Sequence, residues 1–163
     1  MSMDAELTEL AGRTGALLES AGWMLATAES CTGGWIAEAM TAIAGSSGWF
    51  DTGFVTYSNS AKHRLLGVPE ALLATHGAVS EPVVRAMVAG ALAGSAAQVA
   101  VAVSGVAGPS GGTTAKPVGT VWLAWAWPGQ PVFARRCHFE GDRTAIRRQT
   151  VVHALETILY KRT

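Results

Sequence analysis

Ser30, Cys31 and Thr32 stand in a row immediately before Gly33 and Gly34. Three adjacent candidate nucleophiles are more than a turn needs. A hydroxyl or thiol can attack an acyl carbon, but serine is a weak nucleophile until a base activates it. The same stretch can present backbone N–H groups at the start of a helix, where an oxyanion or a phosphate is well received. Two further clusters have a similar character. Tyr57-Ser58-Asn59-x-x-Lys62 combines a phenol, a hydroxyl and an amine. Gly105-x-x-Gly108-Pro109-x-Gly111-Gly112 runs into Thr113, Thr114 and Lys116 and lets a backbone come close to a ligand. Any one cluster is explained as well by a turn. Three of them make a site.

The base is harder to find than the nucleophile. Histidines 63, 76, 138 and 153 are scattered, so no Ser-His-Asp triad has evident members, and Gly-x-Ser-x-Gly is absent around Ser30. Lysine is the other serine activator. The chain has three, Lys62, Lys116 and the near-terminal Lys161, of which the first two fall in the polar clusters. A lysine becomes a base only when burial or a cationic neighbour lowers its pKa; otherwise it is solvated surface charge. Position 59 is asparagine, so Ser-x-x-Lys does not occur at Lys62, and residues 105–112 match neither a Walker A sequence nor G-x-G-x-x-G. Arg143, Arg147 and Arg148 oppose the dipole of the helix they open, so they either face an anion or are ordinary surface charge.

These clusters must be positioned by the elements between them. Apolar spacing predicts a helix over 4–21, a buried strand over 23–28, a helix over 34–43 and a strand over 54–58. Short helices follow, one opened by Asn59 as N-cap and one from Pro69 to Gly77, then a longer helix over 83–97. Residues 98–105 predict a central strand, and 118–127 with 131–139 a hairpin. A final helix runs over 142–160, with Asp142 as its cap. Strands alternating with helices predict one three-layer α/β/α domain over 1–163 with a mixed sheet. In such sheets ligands bind outside the carboxyl ends of the strands, where all three clusters fall. Trp125 and Trp127 alternate with Ala124 and Ala126, so one face is bulky and the other invites a closely packed helix. The six tryptophans suit the core or a subunit contact in a homo-oligomer.

Composition narrows the class. Twelve basic side chains balance twelve acidic ones, which argues against nucleic acid or an anionic membrane as the general partner. No segment approaches the roughly 20 apolar residues of a membrane helix, and the first ten residues lack the pattern of a signal peptide. Two cysteines, Cys31 and Cys137, make no disulfide framework, so the cytoplasm is the expected compartment. No metal-ligand spacing occurs, so no metal is expected.

"AESCTGG", "TYSNSAKHRLLGV", "GVAGPSGGTTAKPVGTVW" and "FEGDRTAIRRQTV" together resemble the C-terminal domain family of the competence-damage-inducible protein CinA. The resemblance covers about Glu6 to Leu159, with the motifs in family order. It implies a three-layer α/β/α fold and cofactor-free hydrolysis of the carboxamide of nicotinamide mononucleotide, a small-molecule substrate. It also implies Ser30 as nucleophile, assisted by Tyr57 and Lys62. Cys31, Thr32, Gly33 and Asn59 would then lie around the substrate, with the Cys31 and Thr32 N–H groups as candidate oxyanion donors. Gly105, Gly108, Gly111, Gly112 and Thr113, helped by Arg143 or Arg147, would hold the ribose phosphate. The alternatives are a non-catalytic pyridine-nucleotide-binding or regulatory module, and a thiol enzyme built on Cys31.

Overall fold

The computed structural model of the chain describes residues 5–160. Five strands form one sheet in the order β2-β1-β3-β4-β5: β1 Leu25–Glu29, β2 Phe50–Val55, β3 Val99–Gly105, β4 Thr120–Ala126 and β5 Phe133–His138. The first three are mutually parallel, and β4 and β5 run antiparallel as a hairpin beside β3. Helices α1 Ala5–Ala21, α2 Trp35–Thr41 and α6 Arg143–Tyr160 cover one face. Helices α3 Asn59–Leu66, α4 Glu70–His76 and α5 Glu81–Ala93 cover the other. This is the mixed three-layer α/β/α arrangement that the alternation predicts.

The two faces of the sheet differ in volume because strand residues alternate sides. Leu25, Val99, Val101, Val103, Val121, Leu123 and Trp125 face α1 and α6. Ala26, Ala28, Ala100, Ala102, Ala124 and Ala126 face α5. A floor of methyl groups lets α5 lie low on the sheet. It supplies the volume itself through Val83, Val84, Met87 and Val88, all fully buried. The small face expected opposite Trp125 is therefore packed by a helix.

Four sequence expectations shift. Strand β1 ends one residue later than expected, so Glu29 lies inside it. Strand β2 starts at Phe50, not at 54. It is an edge strand with alternately exposed residues, and Asp51, Thr52 and Gly53 hide it from an apolar scan. The helix expected over 83–97 spans Glu81–Ala93 and stops at Gly94. The cap of α3 is Ser58, not Asn59: the extended Ser58 accepts a 3.0 Å hydrogen bond on Oγ from the Ala61 N–H. Asn59 is instead the first helical residue. Asp142 does cap α6, its Oδ1 accepting from the Ala145 N–H at 2.8 Å.

Gly90 sets how closely α3 approaches α5. A Cβ built there would lie 2.0 Å from the Leu66 carbonyl oxygen, a backbone atom that cannot swing aside. Gly90→Ala is expected to cost about 2–3 kcal/mol, as overpacking does. Its thermal midpoint should drop by roughly 5–10 °C for a domain of this size. A midpoint within one or two degrees of wild type would show that the helices separate freely.

Candidate active site

The carboxyl ends of β2, β1 and β3 lie side by side, and each carries one of the three polar clusters. Ser30 continues the ladder beyond β1, its N–H donating to Val103 O at 3.1 Å. The chain then turns: Gly33 N–H donates to Ser30 O at 3.0 Å and Trp35 N–H to Thr32 O at 3.1 Å. Gly33 and Gly34 have φ of +63° and +100°, which a side chain at either position would oppose.

Lys62 enters from the α5 side of the sheet. It sits one turn before Leu66 on the buried face of α3, between the Ser58 cap and a left-handed Gly67. Its side chain is only 1% exposed. Nζ lies 2.9 Å from Ser30 Oγ, 2.8 Å from Thr56 O and 3.1 Å from Tyr57 O. Burial lowers its pKa from the ordinary lysine value to about 8, with the nearby Cys31 thiol as the smaller, opposing influence. A neutral amine has two N–H groups and one lone pair. In the protonated form Nζ donates to Ser30 Oγ and to both carbonyls, and the Ser30 hydroxyl lies 3.5 Å from Tyr57 O, to which it donates. Once the amine is neutral and its two hydrogens stay on the carbonyls, its lone pair is the group that faces Ser30 Oγ. Such an arrangement can pass a proton from the hydroxyl to the amine.

Cys31 faces the other way. It is 5% exposed and belongs to the apolar cluster beneath α1, α2 and α6. Burial raises its thiol to about 11, outweighing the nearby cations of Arg147 and Lys62. A protonated thiol inside the core is a packing group.

Tyr57 meets the pair through its backbone, not its phenol. Its carbonyl accepts from Lys62, while its ring is 59% exposed and its hydroxyl accepts from Arg143 Nη2 at 2.9 Å. A proton relay through the phenol is not part of this arrangement. Arg143 also donates from Nη1 to Gly108 O at 2.8 Å, joining the second and third clusters.

The rest of the expected set divides. Arg147 reaches the loop that follows Ser30, donating to Cys31 O and Thr32 O. With Thr32, Gly33, Gly34, Trp35, Glu38 and Thr144 it lines a cavity of about 530 Å³ beside that loop. Gly105, Gly108 and Gly112 have packing reasons to lack a side chain, since a Cβ would lie 2.6–2.7 Å from Val121, Val118 and the Val118 backbone respectively. Gly111 is exposed with φ +89°. Thr113 closes a turn with Lys116, and the Lys116 amine donates to His76 O. Asn59 lies on the surface of α3, beside a groove lined by Ser60, His63 and Glu70. Arg148 pairs with Glu6, and Lys161 lies outside the described residues.

Glu29 is a structural member of the site that the motifs did not single out. It is fully buried and accepts from Thr32 Oγ1 at 2.7 Å, Ile36 N–H at 2.8 Å and Ala37 N–H at 3.0 Å. It thereby satisfies the start of α2, where Gly34 offers no side-chain cap. Burial raises its pKa against these hydrogen bonds. The signal available in the sequence was an acid at the end of an apolar strand. Among the described residues, Glu29 and Lys62 are the two fully buried charged side chains, on opposite sides of the sheet.

A model of the CinA C-terminal domain matches residues 7–161. The chain belongs to that family. Within the CinA family it is 60% identical over 153 residues to a Pseudomonas putida protein named nicotinamide-nucleotide amidohydrolase PncC, covering 94% of this chain and 95% of that one. It is 54% identical over 156 residues to the protein of the same name from Escherichia coli K12, covering 95% and 94%. The crystal structure of a competence/damage-inducible protein, CihA, from Agrobacterium tumefaciens matches with a TM-score of 0.94 at 47% identity, over 98% of each chain. That of competence damage-inducible protein A from Klebsiella pneumoniae matches at 0.91 and 44%, over 95% of this chain and 96% of that one.

Proposed function

We propose that this protein hydrolyses the carboxamide of nicotinamide mononucleotide, giving nicotinate mononucleotide and ammonia. The observation that carries the chemistry is the 2.9 Å contact between Ser30 Oγ and a buried Lys62 whose pKa burial lowers to about 8. Support for the substrate comes from the relatives named nicotinamide-nucleotide amidohydrolase that match over nearly their whole length.

Neutral Lys62 takes the Ser30 proton directly as Oγ attacks the carboxamide carbon. The Thr32 N–H, which the turn's own hydrogen bonds do not use, receives the developing oxyanion, while the Cys31 N–H is drawn toward its own sulfur. Lys62 then gives the proton to the departing nitrogen, which leaves as ammonia, and Ser30 carries an acyl ester. Water attacks that ester, Lys62 takes the water proton, and the proton returns to Ser30 as the acid is released. Tyr57 holds Lys62 through its carbonyl, and its ring borders the substrate. Arg143, at the meeting point of Tyr57 and the glycine loop, is the exposed cation best placed for the ribose phosphate. Phosphate held at a distance from the amide positions the carbon for attack.

Ammonia and nicotinate mononucleotide should form in equal amounts from nicotinamide mononucleotide. A non-catalytic module would bind the nucleotide and release neither. Nicotinamide riboside should be the poorer substrate by roughly 10- to 100-fold in kcat/KM, the effect of losing one charge-assisted contact. Arg143→Ala should narrow that gap. Equal specificity constants for nucleotide and riboside in wild type would remove the phosphate subsite from the scheme.

A further inference from the structure

Arg147 sits one turn after Arg143 on α6 but faces the protein's own backbone. Its Nε donates to Cys31 O at 3.0 Å and its Nη2 to Thr32 O at 3.1 Å. The guanidinium lies over the Trp35 indole, 5.5 Å from the ring centroid, which fixes the plane of the fork. Two successive carbonyls of the nucleophile loop are thus turned toward α6.

A trans peptide is planar, with its C=O and N–H antiparallel. The Gly108–Pro109 bond is the cis peptide among the described residues, so both peptides here are trans. Holding Cys31 O and Thr32 O toward α6 therefore turns the N–H groups of Thr32 and Gly33 the opposite way. The Gly33 N–H lands on Ser30 O. The Thr32 N–H, one peptide earlier, points away from α6 on the serine side of the loop. A cation hydrogen-bonded to a peptide oxygen also draws density from the nitrogen and strengthens that N–H as a donor.

We propose that Arg147 is a positioning residue for the chemical step, aiming and polarising the Thr32 N–H toward the oxyanion that forms on attack by Ser30. It is not the anchor of the phosphate. This rests on the proposed amidohydrolase reading, with Ser30 as nucleophile. It accounts for why an arginine occupies this place: its planar fork reaches two carbonyls at once, and a lysine ammonium does not.

The test is steady-state kinetics of Arg147→Ala and Arg147→Lys with nicotinamide mononucleotide and nicotinamide riboside, beside wild type and Ser30→Ala. Arg147→Ala should lose roughly 100-fold or more in kcat, the usual effect of losing an oxyanion donor, with KM within about threefold. Arg147→Lys should fall between alanine and wild type. The nucleotide-to-riboside ratio of kcat/KM should stay at its wild-type value in both. Free guanidinium at non-denaturing concentration should recover part of the kcat of Arg147→Ala without changing KM.

A tenfold rise in KM for the nucleotide with kcat retained, or a collapse of the nucleotide-to-riboside ratio, would make Arg147 a phosphate ligand and overturn the proposal. Wild-type kcat in both variants would overturn it as well. If Arg147→Ala does not fold, the Arg147→Lys comparison decides on the same criteria. Wild-type protein that releases no ammonia, or an active Ser30→Ala, removes the underlying amidohydrolase reading and this inference with it. An inactive Ser30→Ala beside a normal Arg147→Ala removes only the role of Arg147.

Discussion

Ser30→Ala is expected to lose turnover of nicotinamide mononucleotide by a factor on the order of 10⁴ or more, while Cys31→Ala remains an active enzyme. The first magnitude follows from deleting a nucleophile, whose loss is about as severe as loss of the whole catalytic unit. Substrate affinity of Ser30→Ala should stay within a few-fold of wild type by calorimetric titration, because the proposed site holds the ribose phosphate away from Ser30. Cys31→Ala removes a sulfur from the apolar cluster, costing about 1 kcal/mol and a thermal shift of a few degrees. Its kcat should stay within about tenfold of wild type, the loss reflecting a slightly looser loop and not missing chemistry. In the abstract cysteine is the better nucleophile, since a free thiol near neutral pH is already a few per cent thiolate. Burial withdraws that advantage by raising the Cys31 thiol to about 11. Iodoacetamide should accordingly modify Cys31 slowly and leave most activity in place. An inactive Cys31→Ala together with an active Ser30→Ala would mean that the nucleophile is misassigned.

The choice between these two residues shows how far the sequence carries. Adjacent positions on an extended chain point to opposite faces, so one of Ser30 and Cys31 had to face the core. Which one depends on where β1 ends. Taking the strand as 23–28 hides the answer; with β1 at Leu25–Glu29, Ser30 falls on the alanine face, where α3 brings Lys62. The layered fold and the convergence of the three clusters were legible because apolar periodicity and glycine placement are local signals. The distance from Ser30 to Lys62 was not, because it depends on how closely α3 lies on α5, and Gly90 shows no sign of that on its own. Glu29 was missed for the same reason that β1 was shortened: an acid at a strand end looks like a boundary, whereas here it satisfies the N–H groups that open α2. From sequence Arg143, Arg147 and Arg148 read alike, each an anion contact or ordinary surface charge. Their separation into Arg143, on Tyr57 and Gly108, and Arg147, on the nucleophile loop, comes from one helical turn on α6 together with the path of two loops.

Lys62 should control both the pH dependence of the reaction and part of the pH dependence of stability. Only the neutral amine accepts the Ser30 proton, so kcat/KM should rise tenfold per pH unit below about 8 and level off above it. Lys62→Met should lose activity by roughly 10²- to 10⁴-fold, the span of a general base, and any residual rate should lack the inflection. The stability effect has a definite sign. The folded pKa near 8 lies below the unfolded value near 10.5, so between these limits the unfolded chain binds more protons. Stability contributed by this group therefore rises with pH across that window. Below about 8 the folded state carries the full cost of a charged, buried lysine, about 3 kcal/mol for a shift of this size. Lys62→Met removes that cost but strips Thr56 O and Tyr57 O of their donor, at about 1–3 kcal/mol each if they stay dry. Near pH 7 the two effects roughly offset, so the variant should unfold in urea within about 2–3 kcal/mol of wild type, on either side. As pH rises to 10, wild type should gain on Lys62→Met by about 2–3 kcal/mol. A wild-type rate profile centred near 10, or a stability difference that does not change with pH, would mean that Lys62 keeps its ordinary pKa in the fold. The neutral amine would then be about 300-fold scarcer at neutral pH than with a pKa of about 8, too scarce to serve as the base.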